Sequence, residues 1–261
     1  MKPSNSTPIL SLRNVRRYFG GIKAVDGVSF DVAPKRITGL IGPNGAGKTT
    51  LFNVISGFYK PDEGEVDFQG ERINGLSLHQ TFLKGLCRTF QISRELKLMT
   101  VLENVMLVPP RQQGEKLLRT WFLPNSVRAQ ERELRDKAVA SLESVGLLHL
   151  KDEYAGNLSG GQKRLLELAR TMMASPKMIM FDEPGAGVNP SERRTLASRI
   201  RQLVEERGIT VLLIGHEMEL VMDICSPIIV LDRGKVLMEG SPEQVRNDKK
   251  VLEVYLGGTM A

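Results

Sequence analysis

Residues 42–49, Gly42-Pro43-Asn44-Gly45-Ala46-Gly47-Lys48-Thr49, match the spacing G-x-x-x-x-G-K-[ST]. Glycines let a backbone curl until successive N–H groups converge on one anion. A helix starting at Lys48 would add its positive end. Lys48 offers a point charge to the outer phosphates of a nucleotide, and the Thr49 hydroxyl, beside Thr50, is a hard oxygen donor for Mg2+. A second group of chemistry-bearing side chains follows the apolar run 178–181, which ends in Asp182 and Glu183. Two carboxylates at the C-terminal end of a buried strand stand where α/β sheets bind ligands. There Asp182 is suited to hold Mg2+ through water, and Glu183 to orient or deprotonate an attacking water, as phosphoryl transfer requires. His216, past the apolar run 210–214, is a candidate contact for a terminal phosphate. His79 and His149 lack such surroundings and read as surface or packing residues.

These groups need a frame to hold them. At 261 residues the chain has room for one large domain, or a core with an inserted lobe. Residues 9–15 and 27–32 alternate as strands do, and 36–42 is apolar and stops at glycine. The pattern predicts a helix over 48–56, a turn over 61–64 and a short strand over 65–70. Residues 128–147 place Leu134, Ala138, Leu142 and Val145 at helical spacing. Pro109, Pro110 and Pro124 cut the stretch around them into several helices. After Gly161, helices alternate with the apolar strands 177–181, 210–214 and 227–231. That is an α/β pattern, a mostly parallel sheet with helices on both faces. The expected division is an α/β core over 7–92 and 158–261, with a helical lobe over 93–157.

Composition removes other classes. Apolar residues at 41% and charged residues at 25% are ordinary globular usage. Cys87 and Cys225 are too few for a disulfide scaffold and lack metal-ligand spacing, and the three histidines are scattered. No stretch approaches about 18 consecutive apolar residues. The amino end has no signal-peptide apolar region, so a cytosolic chain is expected. The net charge of +6 reads as a solvated surface, and no nucleic-acid partner is expected.

Leu158-Ser159-Gly160-Gly161-Gln162 heads a helix with Leu165, Leu168, Ala169 and Met172 at apolar positions. Ser159 can cap that helix, and two glycines expose its amide ends, giving a second anion site. An LSGGQ run between such a phosphate loop and such an Asp-Glu strand resembles the ATP-binding cassette family, over nearly the whole chain. The resemblance implies a RecA-like P-loop core with an N-terminal antiparallel β subdomain and an inserted helical subdomain. It implies that Gln91 senses Mg2+ and the γ-phosphate, that Asn189-Pro190 form the D-loop, and that His216 is the switch histidine. It implies an aromatic stacked on adenine, Phe19 or the adjacent Tyr18. It also implies two cassettes paired head to tail, each ATP lying between one subunit's phosphate loop and the other's signature. Permease subunits in the membrane, a periplasmic solute-binding protein and a place on the cytoplasmic face follow from it.

Finer details resemble the ATP-binding subunits of branched-chain amino acid importers. They are Arg88-Thr89-Phe90-Gln91, the long insert after Glu103-Asn104-Val105, Asp182-Glu183-Pro184 with Ala186-Gly187 and Asn189-Pro190, and the tail Val254-Tyr255-Leu256-Gly257. Cassettes for urea uptake and lipopolysaccharide export share much of this pattern. Asn189 stands where many cassettes have aspartate, and Gly215 where an acid often precedes the switch histidine. Cassette ATPases that act on DNA insert long heptads or zinc modules between the half-sites. Here only about 65 residues intervene, without sustained heptads. A non-hydrolysing nucleotide adaptor does not fit a chain carrying both Glu183 and His216.

Overall fold

The computed structural model describes residues 7–89, 95–109, 112, 121, 124–215 and 217–257. Gln91 and His216 lie outside the described residues. By contact, the chain divides into two compact units. One draws on Met1–Gln91, Lys177–Ala186 and Ile200–Ala261, the other on Ile92–Pro176 and Gly187–Arg199.

The first unit holds two sheets. β1 (Leu10–Phe19) and β2 (Ile22–Val32) form a long antiparallel hairpin, extended by β4 (Glu63–Phe68) and β5 (Glu71–Arg72) in the order β2-β1-β4-β5. The second sheet has the order β10-β9-β3-β8-β7-β6. Its strands β3 (Ile37–Ile41), β6 (Leu86–Arg88), β7 (Met178–Asp182), β8 (Thr210–Ile214) and β9 (Ile228–Asp232) run parallel. β10 (Lys235–Gly240) is antiparallel to β9. β3, β7 and β8 are buried at every position, which is why they read as continuous apolar runs rather than alternating ones. Helix α1 (Lys48–Ser56) puts Leu51, Phe52 and Ile55 into a core shared with Leu10, Leu12 and Val28 of one sheet and Leu40, Met180 and Leu212 of the other.

The structure departs from the sequence expectations in several places. The strand predicted over 65–70 begins at Glu63, inside the expected turn: Gly64, at φ +85°, faces a bulge of β1, where Asn14 and Val15 stand opposite it, and a Cβ there would run into the Asn14 carbonyl. β10 and helix α2 (Leu78–Leu83) are elements that the sequence pattern does not predict. α2 is capped by Ser77 and Gln80, each accepting the other's backbone N–H.

The second unit is helical: α3 (Val101–Met106), α4 (Pro124–Ser144) and α5 (Gly160–Met172) pack together. α4 stops three residues short of the predicted end. Gly146 turns left-handed at φ +78° and lets the Leu147 N–H return to the Leu142 carbonyl at 2.8 Å. On α5 the buried leucines are Leu166 and Leu168, whereas Leu165 is half-buried. Helix α6 (Pro190–Arg207) begins in this unit. The first unit is completed by α7 (Met218–Ile224), α8 (Pro242–Asn247) and α9 (Lys249–Gly257). Among the described residues no helix is long and apolar enough to cross a membrane.

Candidate functional site

The phosphate-loop segment joins β3 to α1. A Cβ on Gly42 would run into the Leu231 carbonyl, and one on Gly47, at φ +97°, into the Ala24 carbonyl, so both positions require glycine. From behind, the Gly234 N–H donates to the Ala46 carbonyl at 3.0 Å. The Lys48 side chain folds back over the loop, and its Nζ donates to the carbonyls of Gly42 (2.7 Å) and Pro43 (2.9 Å). Burial lowers the Lys48 pKa, while the carboxylates of Glu183 and Asp182 act in the opposite sense. Gly47 caps α1 without a side chain, so no side-chain group occupies the first-turn N–H groups. Helices α2, α3, α5 and α8 instead all begin with a reciprocal capping box.

A cavity of about 660 Å3 opens over this loop. Asn44, Gly45, Ala46, Gly47, Lys48, Thr49 and Thr50 line it, with Glu183 at the end of β7. Glu183 holds a left-handed backbone at φ +52°, its N–H bonded to the Ile214 carbonyl at 2.9 Å. A side chain with Cβ in that region stores strain, which concentrates at functional sites. Ile22, Lys23, Ala24 and Arg233 complete the lining and carried no signal in the sequence reading.

Asp182 is buried and paired in the core. Its Oδ2 accepts from Arg88 Nη2 at 2.7 Å, and Arg88 Nη1 also donates to Asn53 Oδ1 on α1 at 2.6 Å. The guanidinium thereby ties the acidic strand end to the phosphate-loop helix. A charged residue inside the three-residue buried strand β6 was the available sign of this link. Gly215 packs closely: a Cβ there would come within 2.6 Å of Val221 Cγ2, so a larger residue would require that side chain to shift. Cys87 and Cys225 are buried thiols pushed up to about 12, which makes them poor nucleophiles.

Neither aromatic candidate lines the cavity. Tyr18 is engaged: its hydroxyl donates to Asp26 Oδ1 at 2.9 Å and its N–H to Asp62 Oδ2 at 2.7 Å. Phe19 is 38% exposed, edge-on to Tyr59 at 5.3 Å and under the Arg17 guanidinium at 4.9 Å. In the second unit, Ser159 caps α5: its Oγ accepts the Gln162 N–H at 3.2 Å, and Gln162 Oε1 accepts the Ser159 N–H at 2.9 Å. Gly160 lies close to the Gly187 carbonyl, and Gly161 against Glu192. Glu192 carries no functional motif in the sequence; its one signal is its spacing after Asn189, which is that of a helix cap.

A family model described as ABC transporter matches residues 25–186, and one described as branched-chain amino acid ATP-binding cassette transporter matches 235–261. The chain is 44% identical to the high-affinity branched-chain amino acid transport ATP-binding protein BraF of Pseudomonas aeruginosa, covering 97% of this chain and 99% of that protein. A crystal structure of the ADP conformation of an ABC transporter's ATP-binding cassette superposes with a TM-score of 0.84 at 39% identity. It covers 97% of this chain and 100% of its own. A bacterial ABC transporter cassette solved as a dimer superposes at 0.71 with 26% identity, over 89% of this chain and 98% of its own. On its fold, its phosphate loop and these relatives, the chain belongs to the ABC transporter family, as one of the ATP-binding cassettes that hydrolyse ATP to drive transport.

Proposed function

We propose that this chain is the ATPase subunit of an importer of branched-chain amino acids. In this reading it lies on the cytoplasmic face of the membrane, against permease subunits fed by a periplasmic solute-binding protein. The observation that carries the solute class is the C-terminal match over 235–261, the segment that begins with β10, together with the name of the 44% identical relative. The cavity over residues 44–50 receives the triphosphate, Lys48 presents its charge to the outer phosphates, and Phe19 stacks on adenine. The signature of a second cassette, Ser159, Gly160, Gly161 and Gln162, closes over the same nucleotide. The second cassette is a copy of this chain or a paralogue, and the dimeric relative supports such pairing.

For hydrolysis, a water oxygen bonds to the γ-phosphorus as the bond to the β–γ bridging oxygen breaks. Glu183 takes the proton from that water, and Gln91 and His216 are assigned to the γ-phosphate side. The residues present fit Mg2+: Thr49 lines the cavity, and Asp182, with one oxygen on Arg88, is a carboxylate at the strand end next to Glu183, suited to a water-mediated contact. Among the described residues no cluster of three or more His, Cys, Asp or Glu could form an all-protein metal cage. A hydroxyl and one carboxylate suit a cation that keeps waters and substrate phosphates as its other ligands. When bound, that cation would neutralise charge developing on the phosphates.

Vesicles carrying the permeases and this chain should take up labelled leucine, isoleucine or valine only with ATP. Glu183→Gln should retain ATP binding while hydrolysis and uptake fall by roughly 100-fold or more. Near wild-type hydrolysis by that variant would remove Glu183 as the base. ATP-driven uptake of none of the three amino acids would remove the solute assignment.

A further inference from the structure

The tip of α5 already holds an anion, supplied by the chain itself. Ser159 Oγ donates to Glu192 Oε1 at 2.6 Å. The other carboxylate oxygen, Oε2, accepts from Asn189 Nδ2 at 2.7 Å, while Asn189 Oδ1 accepts the Glu192 N–H at 2.9 Å. The carboxyl group lies so close to the helix tip that a Cβ on Gly161 would come within 2.5 Å of Glu192 Cδ. One carboxylate thus serves two helix starts: it completes the cap of α6 and rests on the glycines of α5. An anion at a helix N-terminus is stabilised by the same field and donors that a phosphate would use.

We infer that Glu192 is a specificity-determining residue, an internal occupant of the signature tip that yields to a terminal phosphate and stays in place otherwise. This inference rests on the shared-site reading above. A carboxylate offers one charge and two oxygens; the terminal phosphate of a nucleoside triphosphate offers more of both. Exchanging one charge-assisted hydrogen bond at Ser159 for another is close to balanced, so the extra charge and oxygen decide the outcome. A nucleoside diphosphate lacks that group and leaves Glu192 bound. When the Glu192 side chain swings away, the bond from Asn189 Nδ2 is lost, but the Glu192 N–H stays on Asn189 Oδ1 and keeps that half of the α6 cap. The same contacts account for asparagine at the D-loop position. An aspartate there would have no N–H to hold Oε2 and would repel the Glu192 carboxylate.

The test uses the full-length chain carrying Glu183→Gln, with and without Glu192→Gln, in sedimentation equilibrium with ATP or ADP. Removing the charge should tighten ATP-dependent self-association by roughly three- to tenfold and narrow the preference for ATP over ADP. The gain should vanish when Ser159→Ala is added. A residue that only caps α6 would give the opposite sign or no change, so unchanged or weaker association overturns the inference alone. If neither protein associates with ATP, the shared site between copies of this chain falls, and the inference with it.

Discussion

The two glycine-bearing helix tips of this chain have the same sequence logic and opposite local states. At the start of α1, Gly47 provides no side-chain cap, the loop curls around open space at Gly45, and the nearest cation, Lys48, is bonded to carbonyls of its own loop. At the start of α5, Ser159 and Gln162 cap each other's backbone and Glu192 adds a carboxylate. The first tip is a ready anion cradle, whereas the second is already satisfied within the single chain. An uncapped tip binds what arrives; a capped tip binds only what outcompetes its occupant.

The comparison breaks most sharply at Lys48. Lys48→Ala should lower ATP affinity on the order of 100-fold in calorimetric titration, since the outer phosphates lose their charge-assisted partner. Unchanged affinity would mean the open tip is not the phosphate cradle. Ser159→Arg should leave nucleotide affinity in its own chain intact while lowering hydrolysis by mixed assemblies roughly tenfold, because in the proposed pairing the bulk would sit on the face offered to a neighbour. Normal hydrolysis at both sites of such assemblies would make the second tip a structural cap and nothing more. The smallest effect is expected from Gln162→Ala, which removes one arm of the capping box. It should cost about 1 kcal/mol of stability in denaturant unfolding, with nucleotide affinity of the same chain unchanged. A loss of affinity there would show that the two tips are coupled within one chain.

Much of the frame was legible because it obeys local rules. The strands that became β3, β7, β8 and β9 are apolar runs with no alternation, and their C-terminal ends carry the glycine loop and the Asp-Glu pair. Other elements escaped for physical reasons. In β10 the positions are half-buried or exposed, with register broken between Val236 and Met238, so its sequence has no clean period. Gly64 reads as a turn residue because a strand position pressed against a neighbouring bulge and a turn both draw on glycine's left-handed backbone. Leu165 and Leu166 are adjacent, and helical spacing alone could not say which would face the core.

Local caps such as Ser159 were legible, but the partners of distant side chains were not. Arg88 and Asp182 are 94 positions apart, and Ser159 and Glu192 are 33 apart. What the sequence determined by itself was the chemistry that depends on backbone: where glycines free the chain to wrap a phosphate, where a lysine follows, and where a buried strand ends in two carboxylates. Only the tertiary structure decided which charges meet. It set Arg88 between Asp182 and Asn53, placed Ile22, Lys23 and Arg233 around the loop, and rested Glu192 on the second tip. Backbone conformation is written within a few residues, whereas pairing of distant side chains exists only once sheets and helices have packed and fixed their spacing.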